Sequence, residues 1–169
     1  MHRKTLAAAA AAIALSTTLP AAAQDDSPMV RFEVMEPTLA LALAEATMTA
    51  CQDEGYQVAV AVVDRFGEPQ AILRDRFAGP HTVDTSSEKA WTAVSFRTPT
   101  LELDERISAG ELTESLRDVP GALMLGGGVP VMAAGSIVGG VGVSGAPAPD
   151  LDEACAEAGI AAIADRLPL

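Results

Sequence analysis

The run Gln57–Asp64, QVAVAVVD, does most to limit what this chain can fold into. It is β-branched and apolar at nearly every position, which marks a largely buried strand. Arg65-Phe66-Gly67-Glu68-Pro69 follows as a turn, and Gln70–Arg74 (QAILR) runs back. Strands joined this tightly pair antiparallel. A second hairpin is predicted from Val131–Ala134, Gly135 and Ser136–Ser144. A sheet of such strands must be covered by helices.

The rest of the chain supplies them. Pro37–Glu54 lies between Pro37 and Gly55, the expected punctuation of a helix. Thr82–Phe96 reads as a second helix, with Thr82 or Asp84 as its cap. Pro99–Leu116 is polar and mixed, and short helical pieces are expected there. Gly121–Leu125 (GALML) reads as a strand, and Gly126-Gly127-Gly128-Val129-Pro130 as a tight connection. Leu151–Leu167 closes the chain as a helix, with Asp150 and Asp152 where acids suit the helix dipole. The order is helix, two strands, helix, three strands, helix. It predicts one α+β layered domain over 37–169, a five-stranded antiparallel sheet flanked by helices, behind a loose leader over 24–36.

The first 23 residues read differently. Arg3 and Lys4 precede an apolar run, Leu6–Leu15, and Ala21-Ala22-Ala23 follows Pro20. The run is too short to span a membrane, and the pattern is that of a cleaved secretory signal peptide. Removing 23 of 169 residues leaves 146, with 9 Lys+Arg against 23 Asp+Glu, a net charge of −14. Such a surface repels nucleic acid and anionic lipid. Neither is an expected partner, nor is membrane insertion, and a periplasmic or secreted location is expected.

Export places Cys51 and Cys155 in an oxidising compartment. Neither belongs to C-x-x-C, which leaves a dithiol redox site without support. Each falls in a predicted terminal helix, so a disulfide joining those helices is expected. Several near-motifs carry little chemistry. Ser86-x-x-Lys89 lacks the partner motifs of a serine–lysine hydrolase. Gly142-Val143-Ser144-Gly145-Ala146 misplaces the last glycine of a nucleophile elbow, and glycines there more often permit close backbone packing. Asp84 and Glu88 stand on one helix face, where such pairs are usually solvated.

Cleavage would also remove His2 and leave His81 as the only histidine. His81 sits just before a predicted helix N-terminus, whose positive end disfavours imidazolium. Neutral imidazole is the form that ligates iron. Two readings stay open: a ligand, or a histidine that hydrogen-bonds the loop after Pro80.

Four blocks then stand out: Val58–Asp64 with Gly67; Arg74 with Ala78–Thr82 and Lys89–Ala93; Gly127–Val131; and Ile137–Ala146 with Asp152-Glu153. In this order they resemble the GlcG/HbpS-like family of haem-binding proteins, over about Pro37 to Ile163. The resemblance implies a profilin-like or roadblock-like fold with a five-stranded antiparallel sheet, and homo-oligomers. In several members it also implies non-covalent haem, with links to haem degradation or redox sensing in some. The family's ligand-proximal features lie around Gly79, His81 and Thr82. His81 is therefore the candidate axial ligand. Thr82, Arg74, Phe77, Lys89, Trp91, Gly127 and Gly128 are the further candidate cofactor contacts. Phe77 and Trp91 would face a porphyrin, and Arg74, Arg76 or Lys89 would meet its propionates. With six aromatics in the mature chain, Leu, Val and Met must supply most of the walls. The leading expectation is an exported, oligomeric haem-binding protein. The alternatives are a small-molecule or haem-degrading enzyme using His81 as acid/base, and a cofactor-free accessory module.

Overall fold

A computed structural model of the protein describes residues 28–167. The expected signal peptide over 1–23 lies outside the described residues, as do Gln24–Ser27 of the leader. Residues 28–36 carry no regular secondary structure. The elements that follow are α1 (Pro37–Asp53), β1 (Ala59–Asp64), β2 (Pro69–Arg74), α2 (Thr82–Phe96), α3 (Thr100–Ser108), β3 (Gly128–Ala133), β4 (Ser136–Ser144) and α4 (Pro149–Ala162). Two 3-10 turns, Glu114–Asp118 and Ala164–Arg166, complete them.

The strands form one antiparallel sheet in the order β2-β1-β4-β3. Among the described residues it has four strands, not five. The expected strand Gly121–Leu125 is irregular, because its backbone groups are engaged elsewhere. The Leu123 N–H donates to the Thr92 hydroxyl. The Leu125 carbonyl accepts from Thr100, and the Met124 carbonyl accepts from Arg117. No ladder can form with those groups taken.

Alternation along the strands builds two unlike faces. Val60 and Val62 of β1 lie opposite Val143 and Val141 of β4. With Val129 and Val131 they join Leu43, Ala44 and Ala156 from α1 and α4 in the main core. The opposite face carries small residues, since Ala61 lies opposite Gly142 and Val63 opposite Gly140. Here α2 comes so close that a Cβ on Gly142 would strike the Ser86 carbonyl, and one on Gly128 the Lys89 carbonyl. The chain is thus three layers, with α1 and α4 on one side of the sheet and α2 on the other. A satellite core of Leu103, Ile107 and Met124 fixes α3. Cys51 of α1 and Cys155 of α4 form a disulfide, 104 residues apart in sequence. Among the described residues no helix is long and apolar enough to cross a membrane.

Candidate functional site

The start of α2 is set by a tight turn. The Thr82 N–H and hydroxyl both donate to the Gly79 carbonyl, at 3.1 and 2.7 Å. The Thr85 N–H and hydroxyl both donate to the His81 carbonyl. His81 is therefore the N-cap residue, and no side chain caps the helix. The expected caps, Thr82 and Asp84, do not act as such, because the Thr82 hydroxyl turns back to the loop.

His81 is exposed, and its ring makes no hydrogen bond among the described residues. A loop-bonding role for the imidazole therefore has no partner here. The ring lies over Gly79, where a Cβ would stand 2.7 Å from its Cε1 and 2.9 Å from its Nδ1. Glycine at that position leaves the ring its place.

The imidazole lines a cavity of about 690 Å³, within the range of small-molecule and cofactor sites. One wall is Phe77, Gly79 and the first turns of α2. The other is Leu123 and Leu125 with the loop Gly145–Pro149. The irregular segment that replaced the expected strand thus supplies apolar wall to the site. Phe77 is 80% exposed, an apolar ring at the mouth with little to cover it.

Beneath lies a buried polar joint. Lys89 is 1% exposed, and its Nζ donates to Asp152 Oδ2 at 2.8 Å and to the Val143 carbonyl at 2.9 Å. Asp152 Oδ1 accepts from the Ala146 N–H and so holds the cavity loop to α4. Burial pushes the Asp152 carboxyl above its ordinary value, with Lys89 opposing. Burial also raises Glu153, whose carboxylate accepts the N–H groups of Gly127 and Leu101.

The cavity thus brings together His81, Thr82, Phe77 and Lys89. It does not bring in the others. Arg74 lies on β2, its guanidinium bonded to the Ala78 carbonyl beside the His81 turn. Trp91 lines separate cavities further along α2. Gly127 and Gly128 are buried, and their N–H groups already go to Glu153 and Thr100. They have no free donor for a ligand. Lys89 reaches the cavity floor but has its charge matched by Asp152. Sequence reasoning missed Leu123, Leu125 and Asp152. One signal was available: Lys89 is the only lysine after Lys4, set among small residues, and a buried lysine needs an acid.

The model of the HbpS-like family, described as haem degrading protein HbpS-like, matches residues 35–161. The chain belongs to the HbpS-like family. Protein GlcG of Escherichia coli K12 is 32% identical over 111 residues, which cover 66% of this chain and 81% of GlcG. The crystal structure of a double mutant of HbpS from Streptomyces reticuli is 40% identical with a TM-score of 0.75, covering 88% of this chain and 99% of that one. The crystal structure of a PduOC–haem complex is 28% identical with a TM-score of 0.71, covering 77% and 95%. This HbpS-like chain therefore shares its α+β fold with solved relatives, one of them a haem complex.

Proposed function

We propose that this HbpS-like chain is an exported, homo-oligomeric protein that binds haem non-covalently in the His81 cavity. One observation carries the reading: an exposed imidazole with no partner among the described residues lines a cavity that sets Phe77, Leu123 and Leu125 beside polar groups such as Thr85 and Glu88, in a fold whose relatives include a haem complex. The residues fit the group. His81 offers a ring nitrogen to iron. Phe77, Leu123 and Leu125 supply apolar contact to the porphyrin. Lys89 is held by Asp152 and Arg74 lies outside the cavity with its guanidinium on the Ala78 carbonyl, so a propionate would have to reach past the cavity edge, toward the His81 turn, to meet a free cation. When bound, haem supplies a redox-active iron and a visible chromophore; the chain's own residues hold it and shield it. The reading of the first 23 residues as a signal peptide supports export.

The test is a haemin titration of the mature protein by absorbance, beside His81→Ala. The expected result is a saturable Soret band whose affinity falls at least about tenfold in the variant, the loss of one strong contact. No saturable band would remove the haem reading. Binding unchanged in His81→Ala would keep haem and remove His81 as its ligand.

The family's description favours a second reading, in which the same cavity degrades haem and His81 moves a proton. Products formed from haemin with a reductant or peroxide, and lost in His81→Ala, would separate an enzyme from a binder.

A further inference from the structure

A second cavity, of about 480 Å³, lies at the other end of α2 from His81. It is built by the β1–β2 turn, the last turns of α2 and the β3–β4 hairpin. Its charged residues are Arg65 and Arg97, and no acidic side chain among the described residues lines it. The whole chain carries 23 acidic residues against 11 Lys and Arg, so a cavity whose charged lining is all cationic is unexpected. Neither guanidinium forms a salt bridge among the described residues.

Both arginines are set in place by the fold. Arg65 lies 4.0 Å above the Phe32 ring and 5.8 Å from that of Phe66, and the two rings meet edge to face. That stacking orients the guanidinium and leaves its N–H groups free for an anion. Arg97 follows α2 with φ 56° and ψ 34°, the left-handed conformation. Glycine is the residue this position favours, and an arginine there is strained. A cation at a helix C-terminus suits the dipole, which accounts for a positive charge at Arg97 but not for its pairing with Arg65. Strain held at a cavity wall is a mark of function. Trp91 gives the cavity a flat aromatic wall, Ile137 an apolar one, and Ser95 and Ser136 add hydroxyls.

We propose that this cavity is a second binding site, for a small organic anion: a carboxylate carried on a flat or apolar body. The guanidiniums of Arg65 and Arg97 take the carboxylate in the planar fork geometry that suits arginine. Trp91 and Ile137 take the body. The proposal is independent of haem, and its failure leaves the His81 reading as it stands.

Trp91 is the only tryptophan in the chain, so its fluorescence reports on the cavities it lines, and the arginine variants tell this one from its neighbour, which has no arginine among the described residues. The experiment titrates the full mature protein with benzoate, and with benzamide as the uncharged counterpart of like shape. The expected result is a saturable fluorescence change with benzoate and none with benzamide. Affinity for benzoate should fall at least about tenfold in Arg65→Gln and in Arg97→Gly, as for a lost charge-assisted hydrogen bond. Arg97→Gly should at the same time raise Tm by about 2–4 °C, because it removes the left-handed strain. Arg166→Gln, outside the cavity, controls for loss of charge alone and should bind as the parent does. No saturable response to benzoate overturns the proposal. So does an equal response to benzamide, or an equal loss in Arg166→Gln. A change of oligomeric state in Arg65→Gln without any benzoate response would assign the guanidiniums to a subunit contact and overturn it as well.

Discussion

The two faces of the sheet are packed by opposite means. Toward α1 and α4 the strands present Val60, Val62, Val129, Val131, Val141 and Val143, and branched side chains fill the space between the layers. Toward α2 they present mostly alanine and glycine, with Val63 packed on Ala90 and Val94, and the helix backbone itself fills much of the space. The valine face gains from apolar area removed from water. The glycine face has little side chain to bury, and α2 is held there in part by the buried pair Lys89–Asp152 and the carbonyl of Val143. The comparison teaches where function can sit. The valine side is cross-linked, and the cavity on its margin, lined by Ile160, Ala164 and Leu167, carries no charged side chain among the described residues. The glycine side keeps a polar joint, and the His81 and Arg65 cavities lie along its helix.

If the polar joint holds α2 and α4 together, breaking it should have the largest effect. Lys89→Met leaves the Asp152 carboxylate buried without its cation, which should cost about 3–5 kcal/mol. The double variant Lys89→Met with Asp152→Asn removes both charges and should recover part of that loss. Urea unfolding of the two variants measures it. Equal destabilisation by both would mean that the shape of the lysine matters and its charge does not.

The valine face is probed through its cross-link. Replacing Cys51 and Cys155 by serine should cost about 2–4 kcal/mol, since the bond closes a long loop. The haemin titration of the folded variant should change little, because neither cysteine lines the His81 cavity. A variant as stable as the parent would show that the apolar packing of α1 on α4 suffices. A large loss of haem affinity would show that the two faces are coupled.

The same contrast sets what was legible in the sequence. The hairpin read from QVAVAVVD and QAILR and the boundaries of α2 are as expected because local pattern and punctuation determine them, and the disulfide is as expected because the chain has two cysteines after the leader, one in each terminal helix. GALML was misread as a strand. An apolar run says it is buried but not what its backbone bonds, and here Thr92 and Thr100 take two of those groups from 31 and 25 residues away, and Arg117 takes a third from 7. The glycines of β4 were legible as sites of close packing, though not which helix packs on them. Lys89 was matched to a ligand's charge, and Asp152 to its own helix dipole. Each is the other's partner, 63 residues apart, and no local window contains both. His81, Phe77 and Lys89, singled out from the sequence, line one cavity, while the pairing of Lys89 with Asp152 at its floor was hinted at only by a lone lysine that must find an acid.

The smallest effect sharpens the comparison most, because it asks whether the glycine side tolerates charge at its margin. Glu153 is 8% exposed and forms no salt bridge among the described residues; its carboxylate accepts from the N–H groups of Leu101 and Gly127. Those bonds favour the ionised form and burial favours the neutral one, and burial prevails, so the group titrates above its ordinary value. A carboxyl raised in the folded state binds its proton more tightly there than in the unfolded chain. Its stabilising contribution is full below the unfolded value and is lost as pH rises through the folded one. Glu153→Gln cannot titrate. At pH 7 the two proteins should differ by less than about 1 kcal/mol, since the weaker acceptor is offset by removal of a buried charge. On lowering the pH from 7 to 5, the parent should gain stability relative to the variant. Urea midpoints at the two pH values decide it. A difference that stays flat, or that turns toward the variant in acid, would mean that the two N–H donors outweigh burial. The edge of the joint would then be built for a carboxylate after all.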